Sequence, residues 1–175
     1  MRKGIILYQS KYGATKKYAD WLKEATGFDC IETKKADLGK IQAYDTILLG
    51  GGIYASGIAG LSFLRKNISS LNGKDIAVFC VGASPYEETA YQALYQHNFK
   101  DALKGLSCFY CRGAWNEQAM SFGDRTLCRM LQKAVAKKAP DTYEPWEQAL
   151  MCAAGQSCDW TDKSYLEPIL DYLNK

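Results

Sequence analysis

The sequence is short of the residues that most often carry acid–base and metal chemistry: it holds a single histidine in 175 residues. That residue, His97, falls in the middle of a helical segment, on the side expected to lie opposite the binding edge, so it is a poor general acid or base. The formal charge is only +3, too small to argue for nucleic acid as a partner. No apolar run approaches the roughly 18 residues of a membrane span. The Gly-x-x-x-x-Gly-Lys-Ser/Thr pattern of a P-loop is absent, and so is the Gly-x-Gly-x-x-Gly spacing of a dinucleotide fold. There is no internal repeat and no low-complexity segment.

What is present reads as one soluble globular domain spanning residues 1–175, with 47% hydrophobic and 23% charged residues. The basic start Met1-Arg2-Lys3 precedes an apolar run too short for a signal-peptide core, with no small-residue cleavage site after it. It reads as a first strand, and the expected location is the cytoplasm. Seven cysteines, an odd number, agree with a reducing compartment. Cys30, Cys80, Cys108 and Cys111 fall in strand-like segments, where thiols act as small hydrophobes. Cys108-x-x-Cys111 also has the spacing of a redox or zinc pair. No second pair completes a zinc site, and core packing is the favoured reading.

Strand-length apolar segments alternate with helix-length periodic ones. Strands are expected near 3–8, 29–33, 44–50, 75–81 and 106–111. Helices are expected near 15–26, 58–69, 87–103 and 163–173. Short, uniformly apolar strands separated by helices imply a parallel sheet covered on both faces, doubly wound by right-handed crossovers. The stretch 112–162 is far longer than an ordinary connection of about four to six residues, so it reads as an insertion, about residues 113–160, after the fifth strand.

In such a sheet ligands bind at the C-terminal strand ends, where the strand order reverses. The loop after the first strand, Ser10-Lys11-Tyr12-Gly13-Ala14-Thr15, runs straight into a helix. Backbone N–H groups, two hydroxyls and a helix N-terminus can hold a phosphate, and Gly13 lets the chain curl around it. A plain helix N-cap is the alternative. Without a dinucleotide spacing, the phosphate is expected to be a terminal monoester. Gly52-Ile53-Tyr54-Ala55 after the third strand and Val81-Gly82-Ala83-Ser84-Pro85-Tyr86 after the fourth add glycines, small residues and aromatic faces. Each alone is a tight turn; together the three loops converge on one crevice. Trp115, just past the fifth strand, is the tryptophan best placed to join them. No residue stands out as a covalent nucleophile or proton donor.

The first loop resembles the Ser/Thr-x-Thr-Gly-x-Thr phosphate loop of the flavodoxin family, with Tyr12 where that pattern has a threonine. Three stretches are similar to the flavodoxin-domain branch that contains the bacterial quinone-dependent protoporphyrinogen oxidases: Ser10–Thr15, Phe122-Gly123-Asp124-Arg125-Thr126-Leu127-Cys128-Arg129-Met130-Leu131, and Asp159-Trp160-Thr161-Asp162. The resemblance implies a flavodoxin-like α/β fold with strand order 2-1-3-4-5. It implies FMN as cofactor, its phosphate on Ser10–Thr15 and its ring between the other two loops. It further implies an FMN-dependent oxidoreductase working with a quinone or another small-molecule redox substrate. A flavodoxin electron carrier docking on redox proteins is the alternative. Carriers typically show a strongly acidic docking face, whereas this chain is basic.

Within the insertion, residues 122–138 read as an amphipathic helix. Leu127, Met130, Leu131, Ala134 and Val135 share one side; Arg125, Arg129, Lys133 and Lys137 recur along another. With Lys138, five basic residues against Asp124 give a local charge of +4. The favoured reading packs the apolar side on the domain and leaves the basic side in solvent; contact with an anionic membrane surface is the other.

Overall fold

The computed structural model describes residues 3–175; Met1 and Arg2 lie outside the described residues. The elements run in chain order β1 (Gly4–Gln9), α1 (Ala14–Thr26), β2 (Asp29–Glu32), α2 (Leu38–Ile41), β3 (Thr46–Tyr54), β4 (Gly57–Ile58), α3 (Leu61–Asn67) and β5 (Asp75–Gly82). Then come α4 (Glu88–Asn98), β6 (Ser107–Arg112), β7 (Ala114–Asn116), α5 (Phe122–Val135), α6 (Pro145–Ala153), β8 (Ser157–Asp159) and α7 (Glu167–Leu173). The main sheet has the order β2-β1-β3-β5-β6, and each neighbouring pair is parallel. This is the flavodoxin-like α/β order implied by the resemblance, with the short β4 added antiparallel on the end of β3.

Strand alternation sorts the apolar residues into two cores. Ile5, Leu7, Ile47, Leu49, Ile76 and Val78 meet Leu61 and Leu64 of α3 on one face. Ile6, Leu48, Ala77 and Phe79 meet Tyr18, Ala19 and Leu22 of α1 and Ile169 of α7 on the other. Both faces are therefore covered, and chemistry is left to the strand ends. The same alternation separates Cys108 from Cys111, one in each core. A disulfide or a shared metal between them is geometrically closed, and both are free thiols.

Several expected boundaries move, each for a local reason. The third strand runs on past its expected end at residue 50, so Gly51 and Gly52 are strand rather than loop. A Cβ on Gly50 would lie 2.1 Å from the Phe79 ring, and one on Gly51 would lie 2.0 Å from the Ala59 carbonyl oxygen. Gly50 and Gly51 therefore make room for protein packing, while a Cβ on Gly52 would meet the Tyr54 ring. The expected helix over 58–69 starts only at Leu61, because Gly57 and Ile58 pair back on Tyr54 and Ile53. The expected helix over 87–103 ends at Asn98, whose buried amide accepts the Ile58 N–H and donates to the Ser56 carbonyl.

The insertion is a β7–β8 ribbon carrying α5 and α6. Lys17 of α1 reaches Asp159 at 2.8 Å and, with Thr161, holds that carboxyl down to about 2. Arg112 stacks on Trp160, 4.3 Å from its ring centroid. At the other end the faces of α5 are more mixed than the favoured reading has them. Val135 is buried as expected and Arg129, Lys133 and Lys137 stay exposed, but Arg125 turns inward and Phe122, Leu127, Met130 and Leu131 are exposed. Glu117 contributes to this: it is buried, and its carboxylate accepts from Arg129 and Gln132 of α5.

Candidate functional site

Strand order reverses between β1, which is flanked by β2, and β3, which leads on to β5. The crevice at this switch point gathers the three loops singled out from the sequence. Gly13 is the N-cap of α1 at φ 99°, ψ −23°, and no side chain caps the helix. The first helical bond runs from the Lys17 N–H to the Gly13 carbonyl, so the N–H groups of Ala14, Thr15 and Lys16 have no acceptor within the helix. The Ser10 hydroxyl accepts the Gly13 N–H at 3.1 Å, leaving its own proton free to donate outward. Thr15 is buried beneath this turn, whereas Ser10 to Gly13 lie at the surface or close to it. An uncapped helix start behind a left-handed glycine fits a terminal phosphate.

The loop is tied to its neighbours on both sides. The Lys11 N–H donates to the Tyr54 hydroxyl at 3.2 Å, joining it to the β3–β4 hairpin. At the tip of that hairpin Ala55 and Ser56 stand at φ 47° and 66° without being glycine. Such backbone costs about 1 kcal/mol or more per residue and survives only where its surroundings impose it; the buried Asn98 amide supplies that constraint through Ser56. Burial raises the Tyr54 hydroxyl above its ordinary pKa. Replacing Tyr54 with alanine is expected to weaken flavin binding by about 0.5–1.5 kcal/mol of stacking and to shift the bound flavin's spectrum. Unchanged affinity and spectrum would show Tyr54 to be outside the site.

The loop after β5 is held from β6. The carbonyls of Gly82, Ala83 and Ser84 accept from the Gly113 N–H (2.7 Å), Arg112 Nε (3.2 Å) and the Tyr110 hydroxyl. With these acceptors turned toward β6, the N–H groups of Ala83 and Ser84 have no partner among the described residues. They are free donors for an electron-rich ring edge. Pro85 and Tyr86 follow, and the Tyr86 ring leans on Tyr91 (5.5 Å between centroids) and Tyr110 (5.9 Å). Val81 is buried in β5 and supports the loop from below.

A cavity of about 700 Å³ opens from this crevice. Ile53 and Gly82–Tyr86 form one wall; Tyr91, Leu94 and His97 of α4, with Glu144 and Trp146 of the insertion, form the rest. His97 thus faces the cavity rather than the opposite side, correcting the sequence reading. Trp115 lies behind the loop, lining a second cavity of about 170 Å³ with Ser84, Cys128, Leu131 and Trp146. Its indole N–H is buried with no acceptor among the described residues.

The sequence reading missed Asp124. This carboxylate, in the first turn of α5, accepts from both Lys11 Nζ and the Tyr12 hydroxyl; the Tyr12 hydroxyl in turn accepts the Ser121 N–H at 3.2 Å. Lys11 and Tyr12 hold the Asp124 carboxyl below its ordinary range, and Asp124 raises Lys11. Tyr12 therefore fastens the insertion to the phosphate loop, which accounts for the missing threonine. An N-cap pattern at Ser121 hints at a helix start, but nothing local announces partners more than 100 residues away. With Asp124 changed to asparagine, Lys11 is released and FMN should bind more tightly than in wild type, with riboflavin unaffected. Parallel fluorescence titrations check this, and equal shifts for both flavins would contradict it.

Fold and crevice define a doubly wound α/β protein with a phosphate-type cradle at its switch point. The chain belongs to the flavodoxin family: a flavodoxin-domain model matches residues 5–142. That family comprises FMN-binding flavoproteins. Among solved structures, the chain is similar to the Trp repressor binding protein of Bacillus subtilis (16% identity, 63% of this chain and 85% of that one, TM-score 0.48). It is also similar to the two-electron reduced flavodoxin of Megasphaera elsdenii (19%, 61% and 82%, TM-score 0.45). A third is a flavoprotein of Lactobacillus acidophilus NCFM in complex with FMN (20%, 64% and 93%, TM-score 0.44). No curated protein matches the sequence. No helix among the described residues is long and apolar enough to cross a membrane.

Proposed function

We propose that this chain binds FMN non-covalently at the β1–β3–β5 crevice and acts as a quinone-dependent oxidoreductase on a small-molecule substrate of protoporphyrinogen type or similar. FMN supplies the hydride- and electron-transfer chemistry itself; the protein's part is to bind, orient and enclose. Ser10, Thr15 and the free N–H groups of α1 would hold the phosphate. Lys11 would balance its charge in competition with Asp124. Tyr54 and Tyr86 would flank the ring, and the free N–H groups of Ala83 and Ser84 would favour negative charge on its electron-rich edge. Tyr110 and Arg112 hold that loop in place from β6.

The observation that carries the enzyme reading is the 700 Å³ cavity, which shares its wall with the ring loops and continues to His97, Glu144 and Trp146. It falls within the usual range for a small-ligand site, about 300–1,000 Å³. The ring itself would fill the part beside Ile53 and Gly82–Tyr86, so the enzyme reading rests on the remainder, toward His97, Glu144 and Trp146. The test is to reduce the FMN-loaded protein without oxygen and mix it with a water-soluble quinone over a range of concentrations. A saturating rate, with kcat/KM reduced in Trp146→Ala, supports the enzyme. A rate that never saturates and ignores Trp146→Ala supports the electron-carrier flavodoxin instead.

A further inference from the structure

Helix α5 is held inward by apolar and polar groups together: Val135 is buried, and Cys128 and Leu131 line the smaller cavity. Arg125 spends its guanidinium on the carbonyls of Glu117, Gln118 and Met120, and Arg129 pairs with Glu117 at 3.1 Å. The other side stands in solvent: Phe122 is 87% exposed, Met130 64% and Leu127 53%. Three large apolar side chains on one 14-residue helix make a patch that a soluble domain does not ordinarily leave uncovered.

Lys133 and Lys137 project beside this patch, and neither has an ion-pair partner among the described residues. Around the helix Lys133 falls between Phe122 and Met130, so the outer surface interleaves cationic and apolar side chains. That pattern suits a helix lying in the plane of a lipid interface. A second copy of the chain would bring the two lysine rows together, in a protein already carrying +3, so like charges disfavour it. Trp146 ties the patch to the interior, because it lines the smaller cavity with Leu131 and also the 700 Å³ cavity.

We infer that the outer face of α5 docks on an anionic lipid bilayer, with Phe122, Leu127 and Met130 entering the headgroup region and Lys133 and Lys137 lying against lipid phosphates. Docked this way, the Leu131–Trp146 edge faces the bilayer, and an apolar redox partner dissolved there reaches the cavity without crossing water. The surface is independent of the flavin reading and stands whether or not the protein binds FMN.

Co-sedimentation of the full chain with phosphatidylglycerol–phosphatidylcholine vesicles tests it. Wild type should pellet at low salt, lose binding as salt rises, and bind pure phosphatidylcholine weakly. Leu127→Ser with Met130→Ser, and separately Lys133→Glu with Lys137→Glu, should each cut partitioning by about tenfold or more, with melting temperature unchanged. These positions are exposed, so the variants keep their fold. A wild type that stays in the supernatant at every salt overturns the proposal. So does binding that survives both double variants, or a concentration-dependent dimer that Met130→Ser dissolves.

Discussion

Valine at Gly13 is expected to lower FMN affinity by about 30- to 100-fold while the sheet stays intact. The position has φ 99°, and a Cβ there would meet nothing within 4 Å. The effect is therefore one of backbone conformation, not of crowding. Holding a β-branched residue in this region costs about 2–3 kcal/mol, and each 1.4 kcal/mol is about a factor of ten in binding. If the loop relaxes instead, the N–H groups of Ala14 to Lys16 turn away from the phosphate, with the same outcome for affinity. Flavin fluorescence quenching on titration measures the loss. Wild-type affinity in a folded Gly13→Val protein would remove this loop from the site.

Alanine at Glu117 is expected to loosen the insertion and leave the main sheet unchanged. This buried carboxylate accepts the Gly155 N–H at 3.0 Å, Arg129 Nε at 3.1 Å and Gln132 Nε2 at 3.4 Å. Its removal strips α5 of its main polar anchor and strands the Gly155 N–H. The expected cost is about 2 kcal/mol, already reduced because Arg129 is solvent-facing and its pairing is screened. Acid should mimic the change. The Gly155 N–H above all, with Arg129 and Gln132, holds the Glu117 carboxyl below its ordinary range. A depressed carboxylate contributes its full stabilisation above the unfolded value of about 4.3, and loses it as pH falls through the folded value. Glu147 is lowered in the same sense by Lys138 and the Glu144 N–H. Amide exchange in α5 and α6 should accelerate in Glu117→Ala at neutral pH, and in wild type below about pH 4. Equal protection in the variant and wild type would show that the insertion is held by other contacts.

What was legible in the sequence follows from how local each signal is. The apolar runs at Ile47–Leu49 and Ile76–Cys80 are buried on both faces, so their lack of polar alternation named a parallel sheet directly. Gly13 was legible because its conformation is a property of one residue at a helix start. The end of the third strand was not legible, because a glycine such as Gly51 that admits the Ala59 carbonyl looks, in sequence, like one that ends a strand. The faces of α5 are only partly legible, because helical spacing shows that two faces exist and not which side chains meet a partner: Val135 is buried and Lys133 exposed as expected, but Arg125 turns inward and Met130 outward. The tie from Asp124 to Lys11 spans more than 100 residues and leaves no local pattern. His97 was misplaced for a similar reason: its cavity wall includes Glu144 and Trp146, which lie in the part of the insertion between the segments that carry a recognisable pattern.

The most direct test of the account is the colour and flavin content of the purified protein. It should be yellow or become so on adding FMN, quench flavin fluorescence at a one-to-one ratio, and bind riboflavin much more weakly because the α1 cradle then holds no phosphate. Acid precipitation should release the flavin intact into the supernatant, as expected for a ligand with no covalent bond to the chain. A folded protein that neither carries nor quenches FMN, or that binds FMN and riboflavin equally well, would contradict the assignment of the Ser10–Thr15 loop and the site built on it.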